Sequence, residues 1–256
     1  MGWILRRVLV TAGAAGIGLA IADAFRNSGF NVHICDIDQQ ALDSALSARP
    51  GLGGSCVDVG SSGAVAELGR DINASMGGLD VIVNNAGVGG PRCPIEEISD
   101  EAWDAVMRVN VTGMFNVVRQ FIPGLKAQRS GAIINISTTS VRTGLPNRLP
   151  YVVSKTAVEG MTHNIARELG PFNIRCNSLL PGSIENERGR KLMSEKAERE
   201  GVSYADALNE RLKFISMRTR IEPDEIGQAA LFLASDGAKH ITGQHISVCG
   251  NVEWEG

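Results

Sequence analysis

Apolar residues along the chain fall into two alternating rhythms. Short, β-branched runs are mostly apolar at consecutive positions: "RVLVT" at 7–11, "NVHIC" at 31–35, "GSCV" at 54–57, "LDVIVN" at 79–84, "GAIINIS" at 131–137, "IRCNSLL" at 174–180 and "HISV" at 245–248. Such runs suit parallel strands covered on both faces, which need no alternation with polar residues. Between them lie longer amphipathic stretches, at about 17–28, 38–47, 61–76, 100–128, 151–169 and 223–235, that read as helices. Pro123 is expected to end or bend the fourth, because it lacks an N–H and its ring clashes one turn back. Strand–helix alternation at this spacing implies right-handed crossovers and a doubly wound, parallel α/β sheet with helices on both faces. Ligands of such sheets bind beyond the carboxyl ends of the strands, so candidate chemistry is sought there.

Composition narrows the class. Of 256 residues, 43% are hydrophobic, enough for a single large domain over 1–256, and no linker, repeat or low-complexity segment divides it. The formal net charge is only -3, with both signs dispersed, which argues against a nucleic-acid surface or a polybasic membrane patch. Cys35, Cys56, Cys93, Cys176 and Cys249 are odd in number, widely spaced and form no CxxC pair. That pattern speaks against a disulfide framework or a metal site and for a reducing, cytoplasmic setting. The opening "MGWILRRVLV" is too short an apolar run for a signal peptide, and Arg6 breaks the myristoylation pattern. No run is long enough to span a bilayer.

The carboxyl ends of the runs carry the polar chemistry. After the first strand comes "TAGAAGIG", Thr11 to Gly18, leading into an apolar helix. A helix N-terminus offers free N–H groups and a partial positive charge, and small residues let the backbone approach a phosphate. Gly16 and Gly18 supply that approach around Ala15 and Ile17, while Ala12 stands at the first glycine position and is tolerable if its φ is negative. The pattern also suits a plain strand–helix turn. Asp36, after the second strand, is placed to accept from an adenosine ribose. A carboxylate there repels a 2′-phosphate, and neither Ala15 nor Ile37 offers a compensating cation, so NAD is favoured over NADP. Asp58, followed by Val59 after the third strand, could accept from the adenine amino group or serve only as a turn residue.

"YVVSK" sets Tyr151 and Lys155 one helical turn apart on a shared face. An ammonium beside a phenol favours the phenolate, which makes such a tyrosine a usable acid or base. The preceding strand "IINISTTS" ends in four hydroxyl residues, Ser137 to Ser140, one of which can hydrogen-bond a substrate oxygen.

These pieces in this order resemble the short-chain dehydrogenase/reductase family over about residues 7–250. The likeness rests on "TAGAAGIG", "NNAG" at 84–87, "VNVTG" around Asn110, "YVVSK", "PG" at 181–182 and "ITGQHISVCG" near the end. It implies a Rossmann-type sheet of about seven strands and NAD(P)-linked interconversion of an alcohol and a carbonyl. By position, Tyr151 is expected to be the acid/base and Lys155 to hold the nicotinamide ribose. Asn110 is expected to anchor a water in a proton relay. Asn85, Ala86 and Gly87 are expected to line the adenosine-side ribose, and Pro181, Gly182 and Ile184 to fix the carboxamide. Ile37, Asp58 and Val59 complete the expected cofactor contacts.

The departures are specific. The family's substrate-binding serine lies thirteen residues before the tyrosine, where this chain has Thr138. Threonine keeps the hydroxyl with less room, and Ser137 and Ser140 are the fallback candidates. Cys249 and Asn186 stand where the family often has Asp and Thr, and Ala12 is expected to cost little cofactor affinity. The charged segment 183–217 is expected to form helices that close over substrate, with Arg188, Arg142, Arg148 and Arg92 bordering the site. With few aromatics there, a small polar substrate is expected: a sugar, polyol or hydroxy acid. The competing expectations are an NADPH-linked reductase of 3-oxoacyl thioesters and a non-catalytic nucleotide-binding regulator. Members of the family are commonly tetramers, built partly through helices such as 100–128 and 151–169.

Overall fold

The computed structural model describes residues 6–252. Seven strands form one parallel sheet: β1 (Arg7–Thr11), β2 (Asn31–Asp36), β3 (Gly53–Cys56), β4 (Val81–Asn84), β5 (Gly131–Ile136), β6 (Ile174–Pro181) and β7 (His245–Val248). Their spatial order is β3-β2-β1-β4-β5-β6-β7. The chain winds outward from β1 to β3, then returns to lay β4 against the other side of β1. The order therefore reverses between β1 and β4, which opens a crevice beyond their carboxyl ends.

Strand geometry decides the core. In β1, Val8 and Val10 point to one face and Leu9 to the other. The first face is covered by α1 (Gly16–Asn27), α2 (Gln39–Ser47) and α10 (Pro223–Ala234), through Ile21, Phe25, Leu42, Ile226 and Leu233. The second is covered by α3 (Ser62–Met76), α5 (Met114–Gln128) and α7 (Leu149–Leu169), through Leu68, Ile72, Val117, Phe121, Val158 and Leu169. Because both faces are buried, the strands carry the consecutive apolar runs seen in the sequence. Burial pushes the Cys35 and Cys176 thiols up to about 12, so both behave as packing groups. No helix among the described residues is long and apolar enough to cross a membrane.

One expected helix divides differently. The stretch 100–128 splits into α4 (Asp100–Met107), a π-helical turn (Arg108–Gly113) and α5. Helix α5 does not end at Pro123 but runs through it to Gln128. Val117, Val118, Phe121 and Leu125 press it onto the sheet, which offsets the backbone bond that proline forfeits. The break falls instead at the π turn, which carries Asn110. The remaining short helix, α6 (Ser140–Thr143), follows β5. Segment 183–217 is helical, as its sequence implies: α8 (Glu187–Glu200), capped by Asn186, and α9 (Tyr204–Leu212), capped by Ser203.

Candidate active site

The crevice is fastened first. Thr11 Oγ1, at the end of β1, accepts from the Asn85 and Ala86 N–H groups, each at 3.0 Å. Asn85 Nδ2 donates back to the Thr11 carbonyl at 3.1 Å and the Ala12 carbonyl at 3.0 Å. These four bonds join the ends of β1 and β4 where the strand order reverses. They leave no room at Gly18, where a Cβ would stand 2.0 Å from the Ala12 oxygen and 2.5 Å from Asn85 Nδ2.

Ala12 itself corrects the sequence reading. Alanine is tolerable there if its φ is negative, but its φ is +47°, in the left-handed region. The Asn85 bond to its carbonyl and the close pass of Gly18 hold it there, at a cost glycine would not bear. Gly16, at φ +54°, meets nothing where its Cβ would be. Ala15, the N-cap of α1, supplies no side-chain cap, so the first N–H groups of the helix gain no partner from it. An anionic phosphate would fit the cradle by both shape and charge. Asp36 accepts from the Ala14 N–H at 3.1 Å and the Asp38 N–H at 3.2 Å, which fixes its carboxylate beside the same turn. Ile37 next to it is exposed. Asp58 is already engaged: it accepts from Gly60 N–H at 2.8 Å and pairs with Arg108 at 2.6 Å, which together lower its pKa. Val59 is buried against the π turn.

The second half of the site centres on α7. Lys155 is buried, and its Nζ donates to the Ile136 carbonyl at the end of β5, at 2.7 Å. Burial lowers its pKa from 10.5 to about 8. A Cβ on Gly87 would lie 3.2 Å from that Nζ and 3.3 Å from Asn110 Oδ1, so β4, the π turn and α7 converge at one point. Asn110 Oδ1 accepts from Val88 N–H at 2.7 Å, while Nδ2 donates to the Val88 carbonyl at 3.0 Å and Ser154 Oγ at 2.8 Å. Ser154 in turn donates to the Tyr151 carbonyl at 2.7 Å. A narrow, water-sized cleft lies beside Lys155, lined also by Thr11, Asn84 and Asn110. Asn84 Oδ1 is buried without a partner, so a water in the cleft would find an acceptor there.

The four hydroxyls after β5 separate by partner. Ser137 donates to the Lys155 carbonyl at 3.2 Å, and Thr139 to the Pro181 carbonyl at 3.3 Å. Both therefore tie β5 to its neighbours. Thr138 Oγ1 and Ser140 Oγ lie 3.3 Å apart, and both line a cavity of about 510 Å³, counted to its open mouth. Gly182 and Ser183 form another wall, and Arg211, Phe214 and Ile215 close it from the helical segment. Gly182 packs against Cys249, and Ile184 bridges to Ile221.

The arginines expected around the site fare unequally. Arg148 is buried, donating to the Gly89 carbonyl at 3.1 Å with its guanidinium 5.2 Å from the Tyr151 ring centroid, so it braces that ring. Arg92 and Arg142 are exposed. The side chain of Arg188 lies outside the described residues. Arg211, which the sequence does not single out, lines the cavity instead. In the sequence it is one cation in a charged helix, with nothing to set it apart from a solvated face.

A nucleotide cradle at the reversal of a parallel sheet, with a buried lysine one turn from a tyrosine, defines an NAD(P)-dependent dehydrogenase/reductase. The family model described as enoyl-(acyl carrier protein) reductase matches residues 12–251. The chain is 35% identical over 248 residues to the 3-oxoacyl-(acyl-carrier-protein) reductase FabG of Thermotoga maritima, covering 95% of this chain and 96% of that one. Among solved structures, a single-residue variant of actinorhodin polyketide ketoreductase with NADPH superposes with a TM-score of 0.90 at 29% identity, covering 96% of each chain. NAD+-bound xylitol dehydrogenase gives a TM-score of 0.89 at 26% identity, covering 96% of this chain and 98% of that one. The chain belongs to the short-chain dehydrogenase/reductase family.

Proposed function

We propose that this protein interconverts a secondary alcohol and a ketone with NAD, on a small polar substrate, using Tyr151 as acid/base. The observation that carries the reading is Lys155. A buried ammonium held by a backbone carbonyl is costly to the fold, and its value lies in what it does one turn along the helix. Tyr151 takes the proton of a substrate hydroxyl in oxidation and returns it in reduction. Thr138, with Ser140 beside it, hydrogen-bonds the substrate oxygen. Ser137 takes no part, because its hydroxyl is committed to the Lys155 carbonyl. Bound nicotinamide dinucleotide supplies hydride acceptance and donation.

The relay attributed to Asn110 takes a particular form. Both Nδ2 hydrogens are used and Oδ1 already accepts once, so the side chain positions Val88 and Ser154. A relay water would sit in the cleft between Asn84 and Lys155, near the π turn. Gly16, Gly18 and the α1 N-terminus would hold the pyrophosphate. Asp36 would accept from the ribose hydroxyls, and its negative charge beside the turn supports NAD over NADP. Asn85, Ala86 and Gly87 would line the adenosine-side ribose, and across the crevice Pro181, Gly182 and Ile184 would fix the nicotinamide carboxamide. Helices α8 and α9 would form the lid over 183–217. Assembly as a homotetramer in the cytoplasm completes the reading, and the exposed Phe115 on α5 supports a partner on that helix.

A second reading, an NADPH-dependent 3-oxoacyl thioester reductase, is favoured by the likeness to FabG over nearly the whole chain. One experiment addresses both. Wild type and Tyr151→Phe are titrated with NADH and NADPH and assayed on polyols, hydroxy acids and 3-oxoacyl thioesters. The expected result is tighter NADH binding in both proteins, with turnover of polar alcohols only in wild type. Preference for NADPH together with thioester reduction selects the second reading.

A further inference from the structure

We infer that Arg211 recognises an anionic group, a carboxylate or a phosphate, on the substrate of the site proposed above; the inference rests on that reading of the site. Among the described residues of this region, Arg220, Arg190, Arg218 and Lys213 are engaged. Arg220 meets Glu185 at 2.8 Å and the Ile184 carbonyl at 2.6 Å. Arg190 shares the same Glu185 at 2.8 Å. Arg218 donates to the Leu212, Lys213 and Ile215 carbonyls, and Lys213 pairs with Glu210. Arg211 makes no hydrogen bond or ion pair with any described residue.

Its position makes that lack of a partner expensive. The side chain is half-buried in the wall of the cavity that holds Thr138 and Ser140. Loss of water and the like charge of Arg220 both lower its pKa. The nearby carboxylate, Glu185, is already shared by two other arginines. The C-terminus of α9 favours a cation, yet an exposed lysine serves such an end equally well, and Lys213 stands there in solvent. A half-buried guanidinium fork without an acceptor, in the wall of a substrate cavity, is arranged for an acceptor that arrives with the ligand. The hydroxyls come from the segment after β5 and the guanidinium from α9. The fitting molecule therefore carries its carbinol or ketone and its anionic group on one small skeleton.

The test compares matched probes on NAD-loaded protein. The carboxylate arm uses 3-hydroxybutyrate, 4-hydroxypentanoate and 5-hydroxyhexanoate, each against its amide. The phosphate arm uses glycerol 3-phosphate against glycerol. Dissociation constants and kcat/KM are measured for wild type, Arg211→Met, which keeps the apolar stem, and Arg211→Lys, which keeps the charge without the fork. The expected result is a wild-type preference for the anion of at least one pair by about 10- to 100-fold, carried mostly in KM. That preference is lost in Arg211→Met and partly retained in Arg211→Lys. Absence of any preference in wild type overturns the inference whether or not the variants fold, and so does a preference that survives Arg211→Met. An anion preference in binding without hydride transfer from any probe to NAD removes the proposed reaction and leaves Arg211 standing. Turnover of neutral alcohols without an anion preference does the reverse.

Discussion

On the dinucleotide side of the crevice, the side chains of Thr11, Asn85 and Asp36 bond to backbone groups of β1, the residues after β4 and the turn between β1 and α1, Thr11 and Asp36 as acceptors and Asn85 as donor. On the substrate side, α8 and α9 are charged helices: Arg190 pairs with Glu185, Lys196 with Glu200 and Glu210 with Lys213, while Arg211 pairs with nothing described. The first region is rigid by construction, because each bond fixes a main-chain position. The second holds its charges in reserve. Recognition of a common cofactor calls for fixed backbone N–H groups, whereas recognition of one particular substrate calls for side chains that are complete only when it is present.

The contrast breaks most decisively at the residue between the two regions. Replacing Tyr151 with Phe should lower kcat by about 100- to 10,000-fold while NADH affinity stays within about threefold of wild type. A dinucleotide-side residue would show the opposite split, and near-normal kcat would remove Tyr151 from the chemistry.

Lys155 sharpens it through pH. Its folded pKa of about 8 lies below the ordinary 10.5 because burial disfavours the ammonium. The fold thus binds this proton more weakly than the unfolded chain does. The cost is fully present below pH 8 and vanishes as pH rises past 10.5, so the lysine raises wild-type stability across that window. At 1.36 kcal/mol per unit, the change is about 3 kcal/mol. Lys155→Met lacks this term. Its unfolding free energy relative to wild type should therefore fall by about 3 kcal/mol between pH 8 and pH 10.5, and a flat difference would show that the lysine is not desolvated.

On the dinucleotide side, Gly18→Ala tests rigidity directly. The added methyl would meet the Ala12 oxygen at 2.0 Å, and backbone cannot step aside as a flexible side chain can. Overpacking of this kind costs about 1–3 kcal/mol, which should lower Tm by several degrees and weaken NAD together. A variant with unchanged Tm would mean that the junction of β1 and β4 is looser than its four hydrogen bonds indicate.

How much of this was legible in the sequence follows from the same division. The interior strands β1, β2, β4, β5 and β6 were marked by their apolar runs, because burial on both faces forces that composition, whereas the edge strands β3 and β7 are only partly buried. The turn, "NNAG" and "YVVSK" were legible because backbone geometry dictates small or fixed residue types there. The π turn at 108–113 was not, since its residues suit an α-helix as well and only packing around Val88 and Ser154 distinguishes the two. Pro123, for a related reason, does not end its helix: a local penalty is outweighed by a buried face on the same helix. Arg211 was hidden because pairing between surface charges is decided in three dimensions, and Arg148 and Arg211 look alike in a string.

Ala12 is where the sequence reading and the structure meet most closely. Its φ of +47° places a Cβ where L-residues pay about 1–2 kcal/mol, while glycine there would lose about 0.5–1 kcal/mol through its freer unfolded chain. The second term offsets part of the first, so Ala12→Gly should raise stability by no more than about 1.5 kcal/mol. The effect on NAD should be smaller still, because Asn85 holds the Ala12 carbonyl at 3.0 Å whichever side chain is present. A rise in Tm of a few degrees with unchanged NAD affinity is expected. If affinity instead tightened by about tenfold or more, the turn in the native chain would be held out of shape by its alanine, and the dinucleotide side would share the incompleteness attributed to the lid.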